Sequence, residues 1–171
     1  VFSPKISRRV CLNGYDALRV WVTLEANPLV TRFCERPAYL DPLENKPSSP
    51  CIDFWVQLRG QTDGELWLIE GSPVYDRLSH DGEVPSNLHG LPVRIVYQSY
   101  LAGWDIPLRN WSKILPVLVS HRAYHDELLQ QMLVVALLQP MTFHEILEAF
   151  SDRDATTVQA ALFALLIQGR A

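Results

Sequence analysis

The apolar positions of the first quarter fall at helical spacing. In LNGYDALRVWVTLE, residues 12 to 25, Leu18, Trp21, Val22 and Leu24 lie near one side. This predicts a first helix, stopped by Asn27-Pro28. LVTRFCERPAYL reads as an extended segment with Val30 and Phe33 alternating inward, and DPLENKPSSP, residues 41 to 50, as a turn or loop. Two strand-like runs follow, IDFWVQLR (52 to 59) and ELWLIEGS (65 to 72), with an Asp-Gly between them that favours a hairpin. Residues 75 to 89 are polar and suit a helix or loop, and LPVRIVYQSYL (91 to 101) is a further buried strand. This pattern predicts an α/β fold, a mixed sheet flanked by helices.

Beyond Trp104 the period becomes helical throughout. RNWSKILPVLVSHR predicts a linking helix interrupted at Pro116. Three helices follow: His121 to Gln139, one starting at Thr142 with Glu145 completing a capping box, and one starting after Asp154. The last repeats Val158, Ala161, Leu162, Leu165 and Leu166 along one face and stops near Gly169. This order suggests a small all-α helix-turn-helix or winged-helix-like module whose final hairpin lies beyond Ala171. The expected division is 1–110, a linking helix 111–122, and a module 123–171.

Composition narrows the class. With 171 residues, 48% hydrophobic and 10% aromatic, the chain can bury a sizeable core. No apolar run is long enough to span a membrane, and no signal-type segment follows Lys5, Arg8 and Arg9. Cys11, Cys34 and Cys51 form no Cys-x-x-Cys pair and read as reduced thiols of a cytoplasmic protein. The net charge of −4 advertises no basic face, so a grip on DNA would need help from a partner.

The candidate chemistry lies in two acids. Asp53 and Glu70 sit on adjacent runs joined by the expected hairpin, so both can reach one end of the sheet, with Glu70 opposite Asp53. Two converging carboxylates suit Mg²⁺, which takes oxygen ligands and can activate water against a phosphate. The plain alternative is two exposed acids that end two strands.

The order of helix, extended segment, CIDFWV, hairpin, LWLIEG and GLPVRIVYQSYL resembles the TnsA family of transposon endonuclease subunits. That resemblance covers nearly the whole chain. It implies a restriction-endonuclease-like PD-(D/E)XK fold with a winged-helix C-terminal part. It also implies Mg²⁺-dependent cutting of one strand at transposon ends, beside a partner transposase and other transposition proteins. By the same resemblance Asp53 is the metal-binding aspartate and Glu70 the second metal-binding acid. Two positions depart from the family. Ser72 stands where it has lysine, and its first-helix glutamate falls on Ala17, with Asp16 one residue and about 100° away.

Arg59, some 20 Å along the strand from Asp53, Arg77 and Lys46 are the basic residues that could replace the lysine. None has a spacing that compels the choice. His121 and His125 share a helical face but lack further ligands, and surface histidines are the simpler reading. Ser72 and Ser99 sit in no nucleophile elbow. The last helix carries no lysine or arginine between Asp154 and Gln168, a surface poor for phosphates and better for a protein partner. The expectation is a TnsA-like subunit with a weakened or lost nuclease centre, retained for assembly. An active enzyme with a relocated base and a non-enzymatic adaptor acting through its C-terminal helices are the alternatives.

Overall fold

The computed structural model describes residues 1–40, 49–80, 82–122 and 126–171. The chain opens with a short hairpin, β1 (Phe2–Ser3) and β2 (Arg8–Arg9), and then enters helix α1 (Tyr15–Ala26). Strands β3 (Val30–Glu35), β4 (Phe54–Leu58) and β5 (Glu65–Ile69) follow. Helix α2 (Pro73–Ser79), β6 (Asn87–Leu88) and β7 (Leu91–Val96) complete a five-stranded sheet of order β3-β4-β5-β7-β6. β5 and β7 run parallel and the other neighbours antiparallel, so the sheet is mixed.

Alternation along the strands sends side chains to two cores. Phe33, Phe54, Val56, Trp67, Ile69 and Val96 pack with Val20, Trp21 and Leu24 of α1 on one face. Ile52, Leu66 and Leu68 pack with Val74 of α2 on the other. β5 is therefore buried on both sides, which explains its unbroken apolar run.

The N-terminal hairpin is fastened to the far end of α1. Glu25 is fully buried and accepts hydrogen bonds from Ser3 Oγ and, at 3.1 Å, from Lys5 N–H. The Lys5 ammonium donates to the carbonyls of Leu24 at 2.6 Å and Asn27 at 2.5 Å, a cation at the helix C-terminus. Burial pushes the Lys5 pKa down to about 8, against the nearby charge of Glu25.

Two expected boundaries move. The strand predicted over 91–101 ends at Val96, and Gln98–Ala102 forms α3. The turn into this helix follows Tyr97 and is held by Glu70, which accepts from the Gln98 N–H at 2.8 Å. Pro116 does not interrupt the linking helix: α4 runs unbroken from Asp105 to Ser120. Proline removes one N–H from the ladder, and Leu115 and Leu118, buried on either side of it, hold the helix against its neighbours. The 110/111 division falls within this helix.

The closing helices are α5 (Glu127–Ala136), α6 (Phe143–Ala149) and α7 (Ala155–Gln168). The capping box at Thr142 and Glu145 forms, Asp154 caps α7, and Gly169 at φ 68 ends it. α5 is shorter than its apolar pattern because Asp126 caps it, accepting from Leu129 N–H at 2.9 Å. Leu129, Leu133, Ile146, Val158, Leu162 and Leu165 make their common core. α7 also packs against α4 and α1, and a β-carbon at Gly169 would come within 2.7 Å of Pro28. α7 is thus held between the closing bundle and the helices beside the sheet. A helix apolar on nearly every side behaves this way. Among the described residues no helix is long and apolar enough to cross a membrane, and the three cysteines are free thiols.

Candidate functional site

The ends of β4 and β5 open onto a cleft of about 420 Å³, and Asp16, Asp53, Glu70 and Ser72 all line it. Asp53 precedes β4, and its half-buried carboxylate accepts from Ile69 N–H at 2.9 Å and from Ser72 Oγ at 2.7 Å. Burial raises its pKa above the ordinary aspartate value, and these two hydrogen bonds oppose the rise.

Glu70 reaches the cleft differently from the hairpin expectation. The β4–β5 register pairs Phe54 with Trp67, and Glu70 lies past the paired stretch, its N–H donating to Val96 O at 3.0 Å on the opposite flank. Glu70 is therefore not opposite Asp53, although both acids lie at the same end of the sheet. Continued by one residue, the same register sets Asp53 opposite Leu68, two residues short of Glu70.

Ser72 has a local structural reason. It is the N-cap of α2, with Pro73 at the first helical position, and its Oγ accepts from Tyr75 N–H at 3.3 Å. Ser-Pro, with two residues between it and the end of β5, is a helix-start signal that the sequence reading passed over. The same hydroxyl donates to Asp53, so both its proton and a lone pair are engaged. Ser72→Ala removes the cap and strands part of the Asp53 carboxylate, so it is expected to destabilise the fold by about 1–2 kcal/mol. Urea unfolding followed by circular dichroism measures this, and a change below a few tenths of that size contradicts the double role.

Asp16 was expected to point away from the acids by one residue's turn. Instead it lines the cleft, and Gln98 reaches across to it. The Gln98 side-chain amide donates to Asp16 Oδ2 at 2.9 Å and to the Glu70 carbonyl at 3.2 Å. One glutamine at the start of α3 thus ties the first helix to the end of β5. Sequence reasoning missed it because residues 91–101 were read as one strand. Arg19 further engages Asp16 at 3.7 Å and Asp105 at 3.2 Å.

Among the described residues no three His, Cys, Asp or Glu side chains converge into a metal cage. Asp53 turns Oδ2 toward the Ile69 N–H and Ser72 Oγ, and Glu70 turns Oε2 toward the Gln98 N–H, so one oxygen of each carboxylate is held by protein donors. Of the bases considered from the sequence, Arg59 and Arg77 do not line the cleft, and Lys46 lies outside the described residues. His121 Nδ1 lies 3.1 Å from Val117 O at the end of α4, and His125 lies outside the described residues. Ser99 sits within α3 and does not line the cleft.

Comparison with models of protein families, with curated proteins and with solved structures finds no match to this chain.

Proposed function

We propose that this chain is a TnsA-like subunit of a DNA transposition complex, a nuclease-like protein acting at transposon ends beside a partner transposase, with its cutting centre weakened or lost. The observation that carries this reading is the hydrogen bond from Ser72 Oγ to Asp53 Oδ2. A lysine at that position would bring a positive charge to steady a phosphate under attack. Ser72 brings none, and its hydroxyl is already engaged by Asp53 and by the helix it caps. The acids accept from protein donors where an active centre presents them to an ion. The cleft is thereby suited to holding shape, and its role is assembly with the partner on DNA, in the cytoplasm. In this reading α5–α7 serve as the winged-helix-like part.

A second reading, an active Mg²⁺-dependent endonuclease, draws support from Asp16, which reaches the cleft and is joined to Glu70 through Gln98. In that reading Asp53 and Glu70 exchange their present donors for the ion.

The experiment is co-assembly. The chain, the transposase encoded beside it and labelled transposon-end DNA are mixed and resolved by size. A ternary complex that forms equally with Asp53→Ala supports the assembly role. A complex that never includes this chain, or the lack of any adjacent transposase gene, counts against it and favours an adaptor unconnected to transposition.

A further inference from the structure

The cleft that gathers Asp16, Asp53 and Glu70 is lined by a single lysine or arginine among the described residues, Arg36. It stands at the end of β3, and its N–H donates to the carbonyl of Asp53 at 3.0 Å. The backbones of the two residues are therefore joined at the mouth of the acidic group. Arg36 has φ of 49°, in the left-handed region that residues other than glycine rarely adopt. Such a conformation persists only where its surroundings hold it, and it tends to mark functional positions.

The guanidinium is exposed, and it makes no ion pair among the described residues. Among the described residues its guanidinium donates one hydrogen bond, to Cys51 Sγ at 3.4 Å, a weak acceptor. Neighbouring Glu35 does not neutralise it, because Glu35 is held by Arg8 through two guanidinium nitrogens, at 2.8 and 2.5 Å. By contrast Arg19 of α1, which does not line the cleft, is committed to Asp16 and Asp105. Most of the planar fork of Arg36 is left for a ligand, and that fork matches two oxygens of a phosphate. A second unsatisfied group borders the same cleft: Ser49 is 5% exposed and its Oγ has no hydrogen-bond partner among the described residues.

We propose that Arg36 is the phosphate-contacting residue of the cleft, taking a backbone phosphate of DNA beside Asp53 and supplying from β3 the positive charge that Ser72 does not bring. This rests on the nucleic-acid reading above and specifies it. The acids alone would repel a phosphate. Arg36 is placed to offset them where the phosphate enters, next to Cys51.

The test is binding of a fluorescently labelled DNA duplex to the full chain across a range of KCl concentrations. Arg36→Ala is expected to weaken binding by about ten-fold and to lower the slope of log affinity against log salt by about 0.9, the loss of one phosphate contact. Arg36→Lys is expected to keep the slope, because the charge remains, while losing part of the affinity. A purely structural role would not move the slope, and circular dichroism of each variant identifies a failure to fold. Should the alanine variant unfold, the comparison of Arg36→Lys with Arg36→Gln carries the same test.

Equal slopes for the wild type and the uncharged variants overturn the role of Arg36 and leave the wider DNA reading standing. A wild type that binds no duplex at any salt, either alone or with the partner transposase present, overturns both. Inorganic phosphate, followed by thermal shift, separates the two sources of the anion. Stabilisation of the wild type but not of Arg36→Ala, with duplex binding unchanged between them, assigns the site to free phosphate and contradicts the DNA contact.

Discussion

Replacing Glu25 with alanine is expected to destabilise the protein by about 3–5 kcal/mol, the range for breaking a buried charged contact. Glu25 is fully buried. Its carboxylate accepts from Ser3 Oγ and from Lys5 N–H, and the Lys5 ammonium closes the last carbonyls of α1 alongside it. Alanine leaves two donors without an acceptor, and an unsatisfied buried polar group costs about 1–3 kcal/mol. It also takes from Lys5 the opposite charge that partly offsets its burial. Burial raises the Glu25 pKa while these donors oppose the rise, so the glutamine variant keeps an acceptor and loses only charge. Glu25→Gln is therefore expected to cost distinctly less than Glu25→Ala. Equilibrium unfolding in urea measures both, and equal small losses for the two variants contradict the buried network.

The other large effect belongs to Phe54. This ring is 1% exposed and packs between the sheet and α1, among Val20, Trp21, Leu24 and Val56. Phe54→Ala removes apolar contact and leaves a cavity, at about 3–5 kcal/mol. Its position makes the consequence more than thermodynamic. Phe54 follows Asp53 directly, so relaxation of β4 around the cavity displaces the carboxylate from Ile69 N–H and Ser72 Oγ. The stability loss should therefore come with weakened protection of the Ile69 amide in hydrogen exchange. A loss below about 1.5 kcal/mol would show that the core refills around the gap.

These two residues also show what the sequence could and could not reveal. Phe54 was legible: it belongs to the strand-like run IDFWVQLR, and its strand forms within two residues of the predicted ends. The last two helices were legible as well, because their caps at Thr142, Asp154 and Gly169 are local signals, whereas α5 is shorter than the expected 121–139 at both ends. Glu25 was not legible. One acid between Leu24 and Ala26 reads as a solvated position, and only the N-terminal hairpin folding over it makes it interior. Asp53 and Glu70, which line one cleft, could be singled out because acids at the ends of buried strands are visible in the pattern. Gln98 and Arg36 were missed for another reason. Each acts from an element distant in sequence, and nothing in the local spacing records that α3 and β3 border the same cleft. Pro116 misled because a proline within a helix is read as a break, whereas packing of Leu115 and Leu118 holds α4 through it.

Ser72 concentrates the central question. It caps a helix and holds Asp53, two structural tasks that account for a serine where a cutting centre would need a base. The direct measurement is nicking of transposon-end DNA in the presence of the partner transposase, with Mg²⁺ or Mn²⁺, for the wild type and Asp53→Ala side by side. The account predicts assembled complexes from both proteins and no strand cut attributable to this subunit in either. A cut made by the wild type that disappears with Asp53→Ala contradicts it and makes the cleft a working nuclease.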